Sequence, residues 1–183
     1  MGSFMKVPDI SKPHVRRFCE HVVPGGRPER VRHQPLANAP PAECFSVVEE
    51  HVAINGGEAL VGWAIWEWRK VMIEAEFHAV WRDPNGKLVD LAPQPKKPPR
   101  ILFVPDPQRD YEGVQVDNIR RPLRKDERIT RYIDLWRQRF ELLNEGNLAD
   151  QHGIVSVSEV RLREVEDAMH QTRRSLMLDF GPG

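Results

Sequence analysis

Residues 71–81, VMIEAEFHAVW, restrict the fold of this chain more than any other stretch. Val71, Ile73, Ala75, Phe77, Ala79 and Trp81 fall on one side of an extended chain, and Met72, Glu74, Glu76, His78 and Val80 on the other. A period of two kept up over this length predicts a β-strand with one buried face. Pro84-Asn85-Gly86 follows, where proline presets φ and glycine accepts φ > 0, so the chain turns back. With those three residues as the loop and Gly86 as a bulge, Asp83 faces Lys87 and Val80 faces Asp90. Asp90 then shares the His78 face and sits diagonally across from it, within side-chain reach. An imidazole beside a carboxylate is the base-and-orienter pair of many nucleophilic sites, and it needs a nucleophile from elsewhere in the chain.

The preceding segment offers one. In residues 42–55, AECFSVVEEHVAIN, the spacing predicts a helix with Cys44, Val47, Val48, His51 and Val52 on one side and Glu49 and Glu50 on the other. Asn55-Gly56-Gly57 stops it. Cys44 therefore sits in a first helical turn, where unpaired backbone N–H groups and the macrodipole favour an anion and make a thiolate accessible. The competing reading is that Cys44 is simply the first apolar residue of the buried face, as free cysteines often are. His51, deeper on that face, reads as a core or locally hydrogen-bonded residue.

Residues 58–66, EALVGWAIW, predict a further strand that leads into 71–81. The chain order is thus a helix tipped by Cys44, a strand, a strand with His78, a turn, and a strand with Asp90. This order resembles the core of the transglutaminase-like branch of papain-type thiol enzymes. The local texture is similar too: GG-x-x-x-x-GW at 56–63, then His78-Ala79-Val80-Trp81, Asn85-Gly86 and Leu88-Val89-Asp90, over about residues 42–93. The resemblance implies a cysteine helix packed on an antiparallel sheet, with Cys44 as nucleophile, His78 as base and Asp90 as its orienter. It also implies a donor for the oxyanion of acyl transfer, and three residues compete for that role. Asn38 and Gln34 precede the nucleophile as an amide does in papain-like enzymes, while Trp63 offers an aromatic N–H. Glu74 and Glu76 share the His78 face and are expected to line a groove or meet arginines. Trp66 belongs to a run of tryptophans that either walls the substrate groove or, as large aromatics on a sheet more often do, packs in the core.

The rest of the chain sets limits. Residues 1–41 are punctuated by seven prolines and read as an extended arm around the core, with a short helix near 13–22 capped by Ser11. His14, Cys19, His21 and His33 lie there, but no C-x-x-C pair accompanies them, so no metal site is expected. Residues 94–100, QPKKPPR, read as a basic connector, 101–104 as a short strand, and the stretch to Pro122 as irregular. Two amphipathic helices follow: 126–144, capped by Asp126 and stopped by Gly146, and 158–178, capped by Ser158. The 27 basic residues balance 27 acidic ones, so no overall field recruits nucleic acid or an anionic membrane. No apolar run is long enough to span a bilayer, and with two cysteines and no leader the chain is expected to be cytoplasmic.

The expected fold is α+β: an antiparallel sheet of four or five strands with the Cys44 helix packed on it, a papain/transglutaminase-like core, and two C-terminal helices. Residues 1–120 would form that core with its arm, and 121–183 a helical appendage of the same domain. The expected function is cysteine-dependent acyl transfer, a hydrolase or deamidase acting on a protein, peptide or small-molecule amide or ester without a cofactor. The alternative is an inactive binding or adaptor module on the same fold. A partner surface on the C-terminal helices fits either.

Overall fold

The alternating stretch is strand β3 (Met72–Arg82), and it pairs along its whole length with β2 (Glu58–Trp68) in antiparallel register, from Glu58 opposite Arg82 to Trp68 opposite Met72. The computed structural model describes residues 5–94, 97–145 and 160–182. After β3 the chain reverses at Pro84-Asn85-Gly86, where the Asp83 N–H donates to the Lys87 carbonyl at 2.9 Å and Asp83 Oδ1 accepts from the N–H groups of Asn85 and Lys87. Gly86 takes φ +83°, the left-handed conformation the bulge requires. The register set by this turn places Trp81 opposite Val89 and Arg82 opposite Leu88 of strand β4 (Leu88–Asp90).

The remaining strands do not extend an antiparallel sheet. They close a barrel. Strand β1 (Glu29–His33) runs parallel to β4, with His33 opposite Asp90, and antiparallel to β5 (Arg100–Pro105). Strand β5 in turn pairs with β2, which returns to β3. The ring β2-β5-β1-β4-β3 is therefore a closed, mixed five-stranded barrel, with β6 (Ile119–Pro122) added along β3. This corrects the expected antiparallel papain/transglutaminase-like sheet. The strand that closes the ring lies in the arm read as irregular. Its sequence, ERVRH, has one apolar residue, Val31, because only that side chain reaches the core, so it carries no readable hydrophobic period. A parallel β1–β4 pair also needs a long crossover, here helix α2 (Cys44–Asn55) with β2 and β3, which no local turn signal announces.

Closure buries both faces of β3, not the single face that alternation alone predicts. Val80 joins Val31, Ala64, Trp66, Ile101 and Phe103 in a cluster fed from β1, β2, β3 and β5. That cluster runs on to helices α3 (Glu127–Leu143) and α4 (Val160–Phe180), where Ile129, Tyr132, Leu135, Met169 and Leu176 cover Trp68 and Met72. On the opposite face Ile73, Ala75 and Phe77 pack on helix α1 (Pro13–Val22) through Val15, Phe18 and Cys19, and Ala79 packs on α2 through Val47 and Val48. Each fully buried side chain of this size contributes about 1.5–3 kcal/mol relative to exposure.

The helix ends follow from local chemistry. Asp126 caps α3, its Oδ1 accepting the Arg128 N–H at 3.0 Å. Ser11 does not cap α1: Lys12 is the N-cap, and the Ser11 hydroxyl donates to Asp9 instead. The stop at Gly146 and the cap at Ser158 lie outside the described residues. Trp68 Nε1 donates to the Gly181 carbonyl at 3.0 Å, which ties the end of α4 to β2.

Candidate active site: a thiol, an imidazole and a carboxylate at a break in the barrel wall

The site forms where β3 loses a neighbour. On the side away from β2, β6 pairs with Met72 to Ala75 and β4 pairs with Trp81 and Arg82, and among the described residues no strand pairs with the segment between. The N-terminus of α2 is held against this break. Val47 and Val48 pack on Ala79, Val89 and Leu91, and the chain enters the helix through a left-handed residue, Ala42 (φ +63°), two positions before the first helical residue, Cys44. His78 projects from the break and Asp90 from the end of β4.

The three side chains meet. His78 Nε2 lies 3.0 Å from Asp90 Oδ1, and the same oxygen accepts the Ala92 N–H at 3.1 Å. With Nε2 occupied, Nδ1 is the ring nitrogen left for Cys44, whose side chain lies close enough to interact with the imidazole. Asp90 is fully buried and His78 is 2% exposed, whereas Cys44 keeps 8% of its surface accessible. Asp90 Oδ2 is buried without a hydrogen-bond partner, so the stabilising contacts of the carboxylate are concentrated on the oxygen that faces the imidazole.

Burial alone would push the His78 imidazole down. Interactions with Cys44 and with the Asp90 carboxylate outweigh that penalty and hold it well above its ordinary range. The arrangement thus favours a proton on the imidazole. Cys19 is the contrast: it packs in the α1 core, and burial pushes its thiol up to about 11.

A cavity of about 330 Å³ opens in front of the sulfur. Phe45 and Tyr111 stack at its mouth with ring centroids 3.7 Å apart and planes 6° from parallel. Burial, then the charges of Cys44 and Glu43, push the Tyr111 phenol up and keep it protonated. The far wall comes from β6 and α3 through Arg120, Trp136 and Phe140, so α3 helps to shape the site. Arg120 bonds Glu74 at 2.6 Å and Asp117 at 2.9 Å and lies over the Trp136 ring. Burial raises the Glu74 carboxyl even against the pull of Arg120.

The other sequence-derived candidates divide. Glu76 lines the cavity, where its carboxylate accepts Trp66 Nε1–H at 2.7 Å; Glu74 sits behind it in the Arg120 pair, and Trp66 belongs to the core. Gln34 and Asn38 are exposed and do not line the cavity. Trp63 is buried against Phe77 and donates to Asp106 Oδ2 at 3.0 Å, so its N–H is already committed. Gln94, Tyr111, Arg120 and Trp136 line the cavity unannounced by any sequence pattern, and only the position of Gln94 just beyond the Asp90 strand could have drawn notice. Among the described residues no group of three or more His, Cys, Asp or Glu converges to hold a metal ion, and no helix is long and apolar enough to cross a membrane.

Comparison with known proteins adds no relative. The chain matches no protein-family model, and neither curated proteins nor solved structures provide a significant match.

Proposed function

We propose that this protein is a cysteine-dependent acyl-transfer enzyme, a hydrolase or deamidase acting on an amide or ester. The observation that carries the reading is the buried Cys44–His78–Asp90 contact at the mouth of an open cavity. Cys44 attacks the substrate carbonyl carbon as the thiolate, forming the C–S bond. His78 gives its proton to the departing nitrogen or oxygen as that bond breaks. Water then attacks the thioester, His78 takes its proton, and the thiolate returns with release of the acid. Asp90 holds the imidazole in one tautomer and orientation throughout. The chemistry requires no cofactor. The substrate is a protein, peptide or small molecule able to place a carbonyl group in the cavity. Two free cysteines fit a reducing compartment such as the cytoplasm, where a thiolate remains usable. A second reading, a binding module with a dead site, fits less well, because a closed apolar pocket around Cys44 would suit it better than this open one.

Alkylation tests the proposal. With iodoacetamide between pH 5 and 9, scored by mass spectrometry, Cys44 is expected to react well below the pH at which glutathione does, and His78→Ala to return it to the glutathione profile. Cys19 in the same digest is expected to stay unmodified. A folded protein whose Cys44 shows the glutathione profile, with or without His78, would leave only the binding module.

A further inference from the structure

Acyl transfer at Cys44 requires a place for the oxygen of the attacked carbonyl. As sulfur bonds to carbon, the carbonyl π electrons move onto that oxygen, and the negative charge needs fixed donors. The beginning of α2 supplies one kind. Its N-cap, Glu43, makes no side-chain capping bond, and the first N–H of the turn to find a backbone acceptor is that of Val47, which reaches the Glu43 carbonyl. The N–H of Cys44 is thus left free beside its own sulfur.

A second, independent feature lies across the cavity. Gln94 follows β4 in a loop drawn in by His33, whose ring nitrogens approach the carbonyl oxygens of Ala92 at 3.0 Å and Pro98 at 2.8 Å. The residue is only 9% exposed and lines the cavity together with Cys44, His78 and Ala92. Its carboxamide has no hydrogen-bond partner among the described residues. The carboxamide is therefore free to pair with a ligand that enters the cavity.

We infer that the Gln94 carboxamide and the Cys44 backbone N–H together form the oxyanion site of this enzyme. The inference rests on the acyl-transfer reading and deepens it. Gln94 Nε2–H donates to the tetrahedral oxygen while His78 protonates the leaving group. As that group departs, the charge on oxygen folds back into the carbonyl of the thioester. Gln94 therefore touches the reacting atoms and is a catalytic residue.

Two reactions at the same sulfur separate its role from a structural one. p-Nitrophenyl acetate acylates Cys44 through a tetrahedral oxyanion, whereas iodoacetamide alkylates it by direct displacement and forms none. In Gln94→Ala the acylation rate is expected to fall about 100-fold, the usual effect of removing one oxyanion donor, with alkylation within twofold of wild type. Gln94→Met, which fills the same space without a donor, is expected to behave likewise. Acylation within twofold of wild type in both variants would overturn the role of Gln94 and leave the acyl-transfer reading standing. A wild-type protein that alkylates readily but is not acylated would overturn that reading and the inference with it. If Gln94→Ala loses both reactions the site has collapsed, and the two rates in Gln94→Met decide.

Discussion

Replacing Asp90 in two ways separates its charge from its shape. Asp90→Ala removes the acceptor of both His78 Nε2–H and the Ala92 N–H, contacts of 3.0 and 3.1 Å in a fully buried position. Breaking a buried pair of this kind costs about 3–5 kcal/mol, because the surviving partner is left unpaired and desolvated. Asp90→Asn leaves an oxygen where Oδ1 stands, able to accept both donors. It puts an NH2 group where Oδ2 already lacks a partner and removes the negative charge beside the imidazole. Exchanging a charge-assisted hydrogen bond for a neutral one costs about 1–2 kcal/mol. Urea unfolding, analysed at a common slope, should therefore rank the proteins wild type, Asn, Ala, with the larger step between Asn and Ala. Alkylation of Cys44 should fall in both, since in both the imidazolium loses its carboxylate. An Ala variant within about 1 kcal/mol of wild type would refute the reasoning, because a buried His78 cannot lose its acceptor at so small a cost.

Two further outcomes follow from the same geometry. Gly62 stands opposite His78 on β2, and a Cβ there would collide with the Val104 carbonyl oxygen and approach Phe103 Cζ to 2.7 Å. Gly62→Ala is therefore expected to lower stability by about 1–3 kcal/mol in urea, and an unchanged midpoint would contradict the close β2–β5 seam. For pH, the folded state holds the His78 proton more tightly than the unfolded chain does. The stabilisation is complete below the unfolded-state value of about 6.5 and is lost as pH rises through the higher folded-state value. The stability difference between wild type and His78→Gln should accordingly be larger at pH 6 than at pH 9; a difference that grows with pH would reverse the assigned direction.

What could be read from the sequence was the part specified locally. The period of β3, the Pro84-Asn85-Gly86 turn and the helical spacing after Cys44 are each written within a dozen residues or so. The turn register alone brings Asp90 alongside His78. The barrel and the β6 strand added along it were not readable, because β1, which closes the ring, and β6 carry one apolar side chain each. ERVRH and IRRP offer Val31 and Ile119 and otherwise show charge or proline. The polar face of β3 is covered from β6 and β2, where Arg120 pairs with Glu74 and Trp66 donates to Glu76. The unreadable β1 also explains Gln94. In QPKKPPR it reads as part of a basic connector, and the closure of β1 on β4, with His33 drawing in the loop, brings it into the cavity that Cys44 also lines. The candidates sought upstream of the nucleophile fell elsewhere because residues 34–39 follow β1 along the surface, the Gln34 N–H bonding the Asp90 carbonyl while its side chain stays exposed.

The central claim is that Cys44 and His78 form a thiolate–imidazolium pair, and the protonation of His78 reports it most directly. Imidazole-labelled nitrogen spectra of the wild type and of Cys44→Ala, followed from pH 5 to 10, give the titration midpoint of this one ring. The account predicts a His78 imidazolium that persists well above neutral pH in the wild type and a clearly lower midpoint once the sulfur is gone, since Cys44 is the foremost of the groups that hold the proton there. Identical midpoints in the two proteins, or a neutral ring at pH 7 in the wild type, would contradict it.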